Sequence, residues 1–172
     1  MCEYESFSDT PFYKRQTRIL APYAQTPDDV TREMLKLAKA KPNELMVDLG
    51  CGDGSVLVIA ASEFGCRCIG YEINDILVRM ALSKIEELKL NNRVKVVHDD
   101  LFNADLSKAD IVFLYLTPEM LKALKKKLEL ELKRGARVVS HDYPIEEWRP
   151  LVIRKAKGNK LHTHVIFLYV KE

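Results

Sequence analysis

The segment Val47-Asp48-Leu49-Gly50-Cys51-Gly52-Asp53-Gly54 gathers the residues best suited to hold a small ligand. An apolar run enters a bend with three glycines, and an apolar helical run leaves it. Glycines in such a bend permit unusual backbone angles and let a ligand lie directly against the main chain. Their spacing is G-x-G-x-G, with Ser55 where a dinucleotide fingerprint would place its third glycine. Asp48, just before the bend, is awkward beside a pyrophosphate but well suited to a ligand bearing a positively charged amino group. This combination favours S-adenosylmethionine over NAD.

Two further acidic positions extend the pattern. Glu72, in Gly70-Tyr71-Glu72-Ile73, follows the glycines by about 20 residues, where a carboxylate can accept both ribose hydroxyls. Asp99-Asp100-Leu101 comes after the next apolar run. There a carboxylate can take an adenine amine while Leu101 and Phe102 line the base, and Asp100 is preferred over Asp99. Each acid taken singly also fits a helix cap, and Asn74 can cap the helix that follows Glu72. The three together, in order, point to a nucleoside.

The elements that position these groups alternate. Residues 1–25 form a polar and aromatic leader. Thr26 suits an N-cap and Pro27 a first helical position, ahead of Val30, Met34 and Ala38 at four-residue spacing. Leu45 to Leu49 reads as a buried strand, Val56 to Phe64 as a covered helix, Arg67 to Tyr71 as a second strand and Asn74 to about Leu90 as an amphipathic helix. Val94 to Val97 and Ile111 to Leu116 are the third and fourth strands. Thr117 and Pro118 open a helix with Leu121, Leu124, Leu128 and Leu132 inside. Arg137 to His141 is a fifth strand, and 151–156 with 163–170 form a hairpin around Gly158-Asn159. The expected fold class is α/β, with a mostly parallel sheet, an antiparallel C-terminal strand and helices on both faces.

Composition bounds the alternatives. The 172 residues are 47% hydrophobic and 30% charged, which suits one compact domain and excludes wholesale disorder. No apolar run reaches the ~20 residues of a membrane-spanning helix, and the first ten residues lack the features of a secretory signal. A net charge of +2 does not announce nucleic-acid binding. Lysines crowding the 118–134 helix and the hairpin read as solvated faces. Cys2, Cys51, Cys66 and Cys68 have neither zinc-knuckle nor redox C-x-x-C spacing, so ordinary thiols in a reducing, cytoplasmic compartment are expected. His162 and His164 lie two apart with no other suitably spaced ligand, so no metal site is expected.

With these residues assembled, the chain resembles the class I S-adenosylmethionine-dependent methyltransferases. More narrowly, it is similar to the small archaeal protein-lysine methyltransferases and their mitochondrial relatives acting on ATP synthase and carrier proteins. The resemblance spans roughly residues 20–170. It rests on Pro22-Tyr23-x-x-Thr26-Pro27, the glycine segment, Tyr71-Glu72-Ile73-Asn74, and Arg137-Val138-Val139-Ser140-His141 followed by Trp148. It departs from the family pattern at Gln25, usually proline, and at Ser55, usually arginine.

The resemblance implies a Rossmann-like seven-stranded methyltransferase domain over 26–172, with the 1–25 leader covering the site. Tyr23 and Thr26 would reach the methionine end of the cofactor, and Asp48 with Gly50 would hold its amino group. Glu72 would hold the ribose and Asp100 the adenine, and Cys51, Gly52, Ile73, Asp99 and Leu101 complete the expected cofactor-binding set. Tyr115 and Thr117 would border the sulfonium and the substrate channel. The expected catalytic set is Tyr23, Tyr115, His141 and Asp142.

Methyl transfer to a lysine needs no metal and no covalent enzyme intermediate, only a neutral amine in line with the methyl group. Deprotonating lysine at neutral pH costs about 4 kcal/mol, which an aromatic channel that desolvates the ammonium can lower. Tyr13, Tyr23, Tyr115, Tyr143 and Trp148 are available, and His141-Asp142 could orient the amine or relay its proton. The expected partners are proteins presenting lysine to a monomeric enzyme, with nucleic acid less favoured. A small-molecule or RNA methyltransferase would share the cofactor site. Leu116-Thr117-Pro118-Glu119 replaces the Asn/Asp-Pro-Pro-Tyr clamp of enzymes acting on amide or adenine nitrogen. A non-catalytic scaffold would have no need of all three acids.

Overall fold

The computed structural model describes residues 23–157 and 163–172. The leader before Tyr23, with Tyr13, lies outside the described residues, as do the Gly158-Asn159 turn, Lys160 and His162. The elements run α1 (Asp28–Leu37), β1 (Leu45–Leu49), α2 (Ser55–Phe64), β2 (Arg67–Glu72), α3 (Asp75–Glu87), β3 (Val94–His98), β4 (Ile111–Leu114), α4 (Pro118–Glu131), β5 (Arg137–His141), β6 (Val152–Lys157) and β7 (Thr163–Val170). They form one seven-stranded sheet in the order β3-β2-β1-β4-β5-β7-β6. The first five strands pair in parallel, and β7 is antiparallel to both β5 and β6.

Strand alternation splits the core in two. Met46, Ile111, Phe113 and Val139 pack on one face with residues of α1, α2 and α3. Val47, Leu49, Val112, Leu114 and Val138 pack on the other with Leu121, Leu124 and Leu128 of α4. Cys66 and Cys68, two apart, are free thiols buried in the first of these cores. Lysines of α4 pair with acids: Lys122 with Glu146 at 3.4 Å and Lys127 with Glu131 at 2.6 Å.

Reversal of order at β1 and β4 opens a crevice beyond the carboxyl ends of the central strands, where open α/β sheets place ligands. Close packing beneath it positions the glycine bend. A Cβ added to Gly70 of β2 would stand 2.6 Å from both Cys51 Sγ and Leu57 Cδ1. Gly70→Ala is therefore expected to destabilise the protein by about 2 kcal/mol through overpacking. Thermal denaturation should register this as a fall of roughly 4–8 °C for a chain of this length.

Local capping differs from expectation at one helix. Pro27, not Thr26, is the N-cap of α1, and no side chain caps it. The Thr26 hydroxyl is instead engaged by a buried histidine. Asn74 does cap α3, accepting from Ile76 and Leu77 N–H.

Candidate active site

A cavity of about 910 Å³ occupies the crevice, a size suited to a nucleoside-containing ligand. Its floor is the glycine bend. Gly50 and Cys51 N–H both donate to Tyr71 O, at 2.8 and 3.0 Å, which stitches the bend to β2. Gly52 has φ +54°, and a Cβ there would meet the Tyr23 ring at 2.5 Å. Tyr23 thus lies over the bend, and burial followed by the nearby Asp53 charge pushes its phenol up to about 12.

Glu72 clasps the next corner. Its Oε2 accepts from Gly52 N–H at 2.9 Å, and its Oε1 accepts from Ile73 and Asn74 N–H at 2.9 and 2.8 Å. Three main-chain donors thus fix one carboxylate in the cavity wall. At the third corner Asp100 Oδ1 accepts from Phe102 N–H at 3.0 Å, capping the short 3-10 turn Leu101–Asn103. Asp100, Leu101 and Phe102 all face the cavity.

Asp48 differs from these. It lies one residue before the end of β1, almost wholly buried, and among the described residues no hydrogen bond or ion pair meets its carboxylate. Burial, then the charges of Glu72 and Asp53, push its pKa up to about 8. A buried acid facing a cavity with no partner is complementary to a cation.

Of the residues singled out in the sequence, Tyr23, Thr26, Asp48, Gly50, Cys51, Gly52, Glu72, Ile73, Asp100, Leu101 and Tyr115 are brought together in the cavity wall. Asp99 and Thr117 stand outside that wall. Asp99 Oδ1 accepts from Asp100 N–H and Asn103 Nδ2, at 2.7 and 2.8 Å. Thr117 caps α4, its Oγ1 3.4 Å from Met120 N–H. His141 and Asp142 also lie outside it. His141 is fully buried behind Tyr115, with ring centroids 4.0 Å apart, and its Nδ1 is 3.1 Å from Thr26 Oγ1. Burial holds this imidazole down at about 4, so it is neutral at physiological pH.

Several wall residues were not singled out by sequence reasoning. Asp53 accepts from Lys84 Nζ at 2.7 Å and from the Ser55 hydroxyl and N–H at 3.0 and 3.1 Å. Burial raises its pKa, but these bonds outweigh it and hold the carboxyl below its usual range. Gln25 Nε2 donates to Ser55 Oγ at 3.2 Å, and Lys84 Nζ reaches the same oxygen at 2.7 Å. The two departures from the family pattern therefore touch each other, and Lys84 supplies a cation at that corner. Glu119, at the start of α4, stands at the cavity rim.

A reversed last strand in this sheet order, with three strand-end acids around one cavity, defines a class I methyltransferase. The structure aligns with the crystal structure of an RNA methyltransferase from Salinibacter ruber in complex with S-adenosyl-L-homocysteine. The TM-score is 0.78 at 33% identity, covering 86% of this chain and 93% of that one. The chain belongs to the ANTKMT methyltransferase domain family, whose model matches residues 48–152. It is 42% identical over 151 residues to a protein-lysine N-methyltransferase of Saccharolobus islandicus, covering 87% of this chain and 92% of that protein. It is 34% identical to the adenine nucleotide translocase lysine N-methyltransferase of Mus musculus, and spans 62% of that longer protein. This protein is an S-adenosylmethionine-dependent methyltransferase, and its Asp48, unpartnered among the described residues, fits a cofactor that carries an amino group.

Proposed function

We propose that the protein methylates lysine ε-amines of other proteins. One observation carries the choice of acceptor. Of the five acids that line the cavity, Asp48, Glu72 and Asp100 serve the cofactor and Asp53 pairs with Lys84, which leaves Glu119, on the same wall as Tyr23 and Tyr115, for the acceptor. A carboxylate beside aromatic rings attracts an ammonium and repels a phosphate backbone. The relative from Saccharolobus islandicus supports the same reading.

In this reading Asp48 holds the cofactor's amino group, Glu72 its ribose and Asp100 its adenine, with Leu101 and Phe102 against the base. The bound cofactor supplies an electrophilic methyl group on sulfur. Tyr23 and Tyr115 border the approach, exclude water from the incoming amine and shift it toward its neutral form. Proximity and alignment account for a large share of the rate. His141 and Asp142 act from behind Tyr115 and Thr26, holding both in place without touching the acceptor. Residues 26–172 work as one catalytic unit, with Tyr23 laid over Gly52. The free buried thiols suit a reducing, cytoplasmic setting, and no described helix is long and apolar enough to cross a membrane.

The test supplies methyl-labelled cofactor with a mixed cell extract, separates protein, RNA and small molecules, and hydrolyses each fraction. Label is expected on methylated lysine. Label confined to RNA or to small molecules overturns the assignment.

A further inference from the structure

The spacing of the histidines in the chain hides a cluster that the sheet assembles. His141 ends β5, Asp142 follows it, and His164 lies near the start of the antiparallel β7. His141 Nε2 and His164 Nδ1 are 2.8 Å apart. Asp142 Oδ2 is 3.4 Å from the first and 3.3 Å from the second. A tetrahedral zinc ion with bonds of about 2.0–2.1 Å has ligand–ligand edges of roughly 3.3 Å. The triangle therefore approximates one face of such a tetrahedron, with a short widening of its histidine edge.

The surrounding contacts orient each donor. The other nitrogen of His141, Nδ1, faces Thr26 Oγ1 at 3.1 Å; when Nδ1 donates to that hydroxyl, Nε2 carries the lone pair a metal ion needs and can exchange its contact with His164 for the ion. Asp142 Oδ1 accepts from Val165 N–H at 2.9 Å, so Oδ2 is the oxygen presented to the cluster. His141 is fully buried, while His164 is 9% exposed and Asp142 partly exposed, so solvent reaches one edge of the cluster, where a water can complete a four-coordinate shell. Among the described residues this is the one group of three donors so disposed.

We propose that His141, Asp142 and His164 form a binding site for a divalent transition ion of the zinc class. Two imidazoles and one carboxylate suit zinc or cobalt and are poorly matched to magnesium or calcium, which prefer all-oxygen shells. The ion lies behind the cofactor cavity and takes no part in methyl transfer. It ties β5 to β7 and, through the Thr26 hydroxyl and the stacked Tyr115 ring, steadies two residues of the cavity wall. This holds whatever the methyl acceptor is.

The experiment strips the full-length protein with a chelator, then titrates it with cobalt(II) and follows visible absorption, with zinc(II) as competitor. Saturation at a single cobalt ion per chain, with the intense d–d bands of four-coordination and displacement by zinc, is expected. His164→Ala should abolish those bands, and Thr26→Val, which removes the outer hydrogen bond, should weaken zinc binding about 10–100-fold. Wild-type protein that takes up no stoichiometric cobalt or zinc overturns the proposal and leaves the three groups a hydrogen-bonded network. Bands that persist unchanged in a folded His164→Ala protein overturn it equally. The wild-type titration stands even where a variant does not fold.

Discussion

Asp48→Asn is expected to weaken S-adenosylmethionine binding at least 100-fold, about 3 kcal/mol, by removing one partner of a buried, hydrogen-bonded charge pair. Calorimetry adds a sharper signature. With its pKa near 8 in the free protein, the Asp48 carboxyl is mostly protonated at pH 7. An incoming ammonium favours the ionised form, so binding expels close to one proton. Affinity should rise with pH toward about 8 and fall again as the ligand's own amino group, with an ordinary pKa of ~7.7–8.0, loses charge. Titrations in buffers of different ionisation enthalpy report that proton, and Asp48→Asn should not release it. Stability of the cofactor-free protein follows the same group. Its folded pKa lies above its unfolded value, so the folded state holds more protons between roughly pH 4 and 8, and stability declines as pH rises across that window. Asn at this position should flatten the dependence.

Glu72→Ala should damage both fold and binding. Its carboxylate accepts from three main-chain N–H groups around the cavity corner. Orphaned donors with restricted access to water cost about 1–3 kcal/mol each when buried, and Gly52 N–H is the most enclosed of the three. A loss of about 3 kcal/mol in urea unfolding is expected, with cofactor affinity lowered beyond the reach of routine calorimetry. Glu72→Gln separates the two roles. Its amide oxygen can still serve Ile73 and Asn74, but its NH₂ then opposes Gly52 N–H, so stability should fall by about half as much. Lys126→Ala, on the exposed side of α4, should change neither quantity. Equal effects from Lys126 and Asp48 would show that the ligand lies elsewhere.

Much of this arrangement was legible in the residues themselves. A strand such as Leu45–Leu49, apolar except for its acid, can only be buried, and the glycine bend after it has few uses. The strand-end acids could be ordered because each followed a short apolar run. Thr117 shows where such reading stops, because a threonine between a strand and Pro118 has the same sequence signature whether it caps a helix or faces a ligand. Thr26 shows the converse: it looks like a cap, yet its hydroxyl turns to His141, more than 100 residues away along the chain. Asp53 with Lys84, and His141 with His164, are likewise partnerships made by tertiary packing. Neither pair has a local period that spacing could disclose.

The crowd of positive charges on the last hairpin finds a reason in the strand order. β6 is an outermost strand, its far side without a neighbour among the described strands. Lys155 and Lys157 project from it into solvent, while Arg154 pairs with Glu33 of α1. A second molecule offering its own β6 would bring like charges into register at every attempt to extend the sheet. A border strand charged in this way opposes edge-to-edge pairing with its own copy, whatever contacts the molecule makes elsewhere.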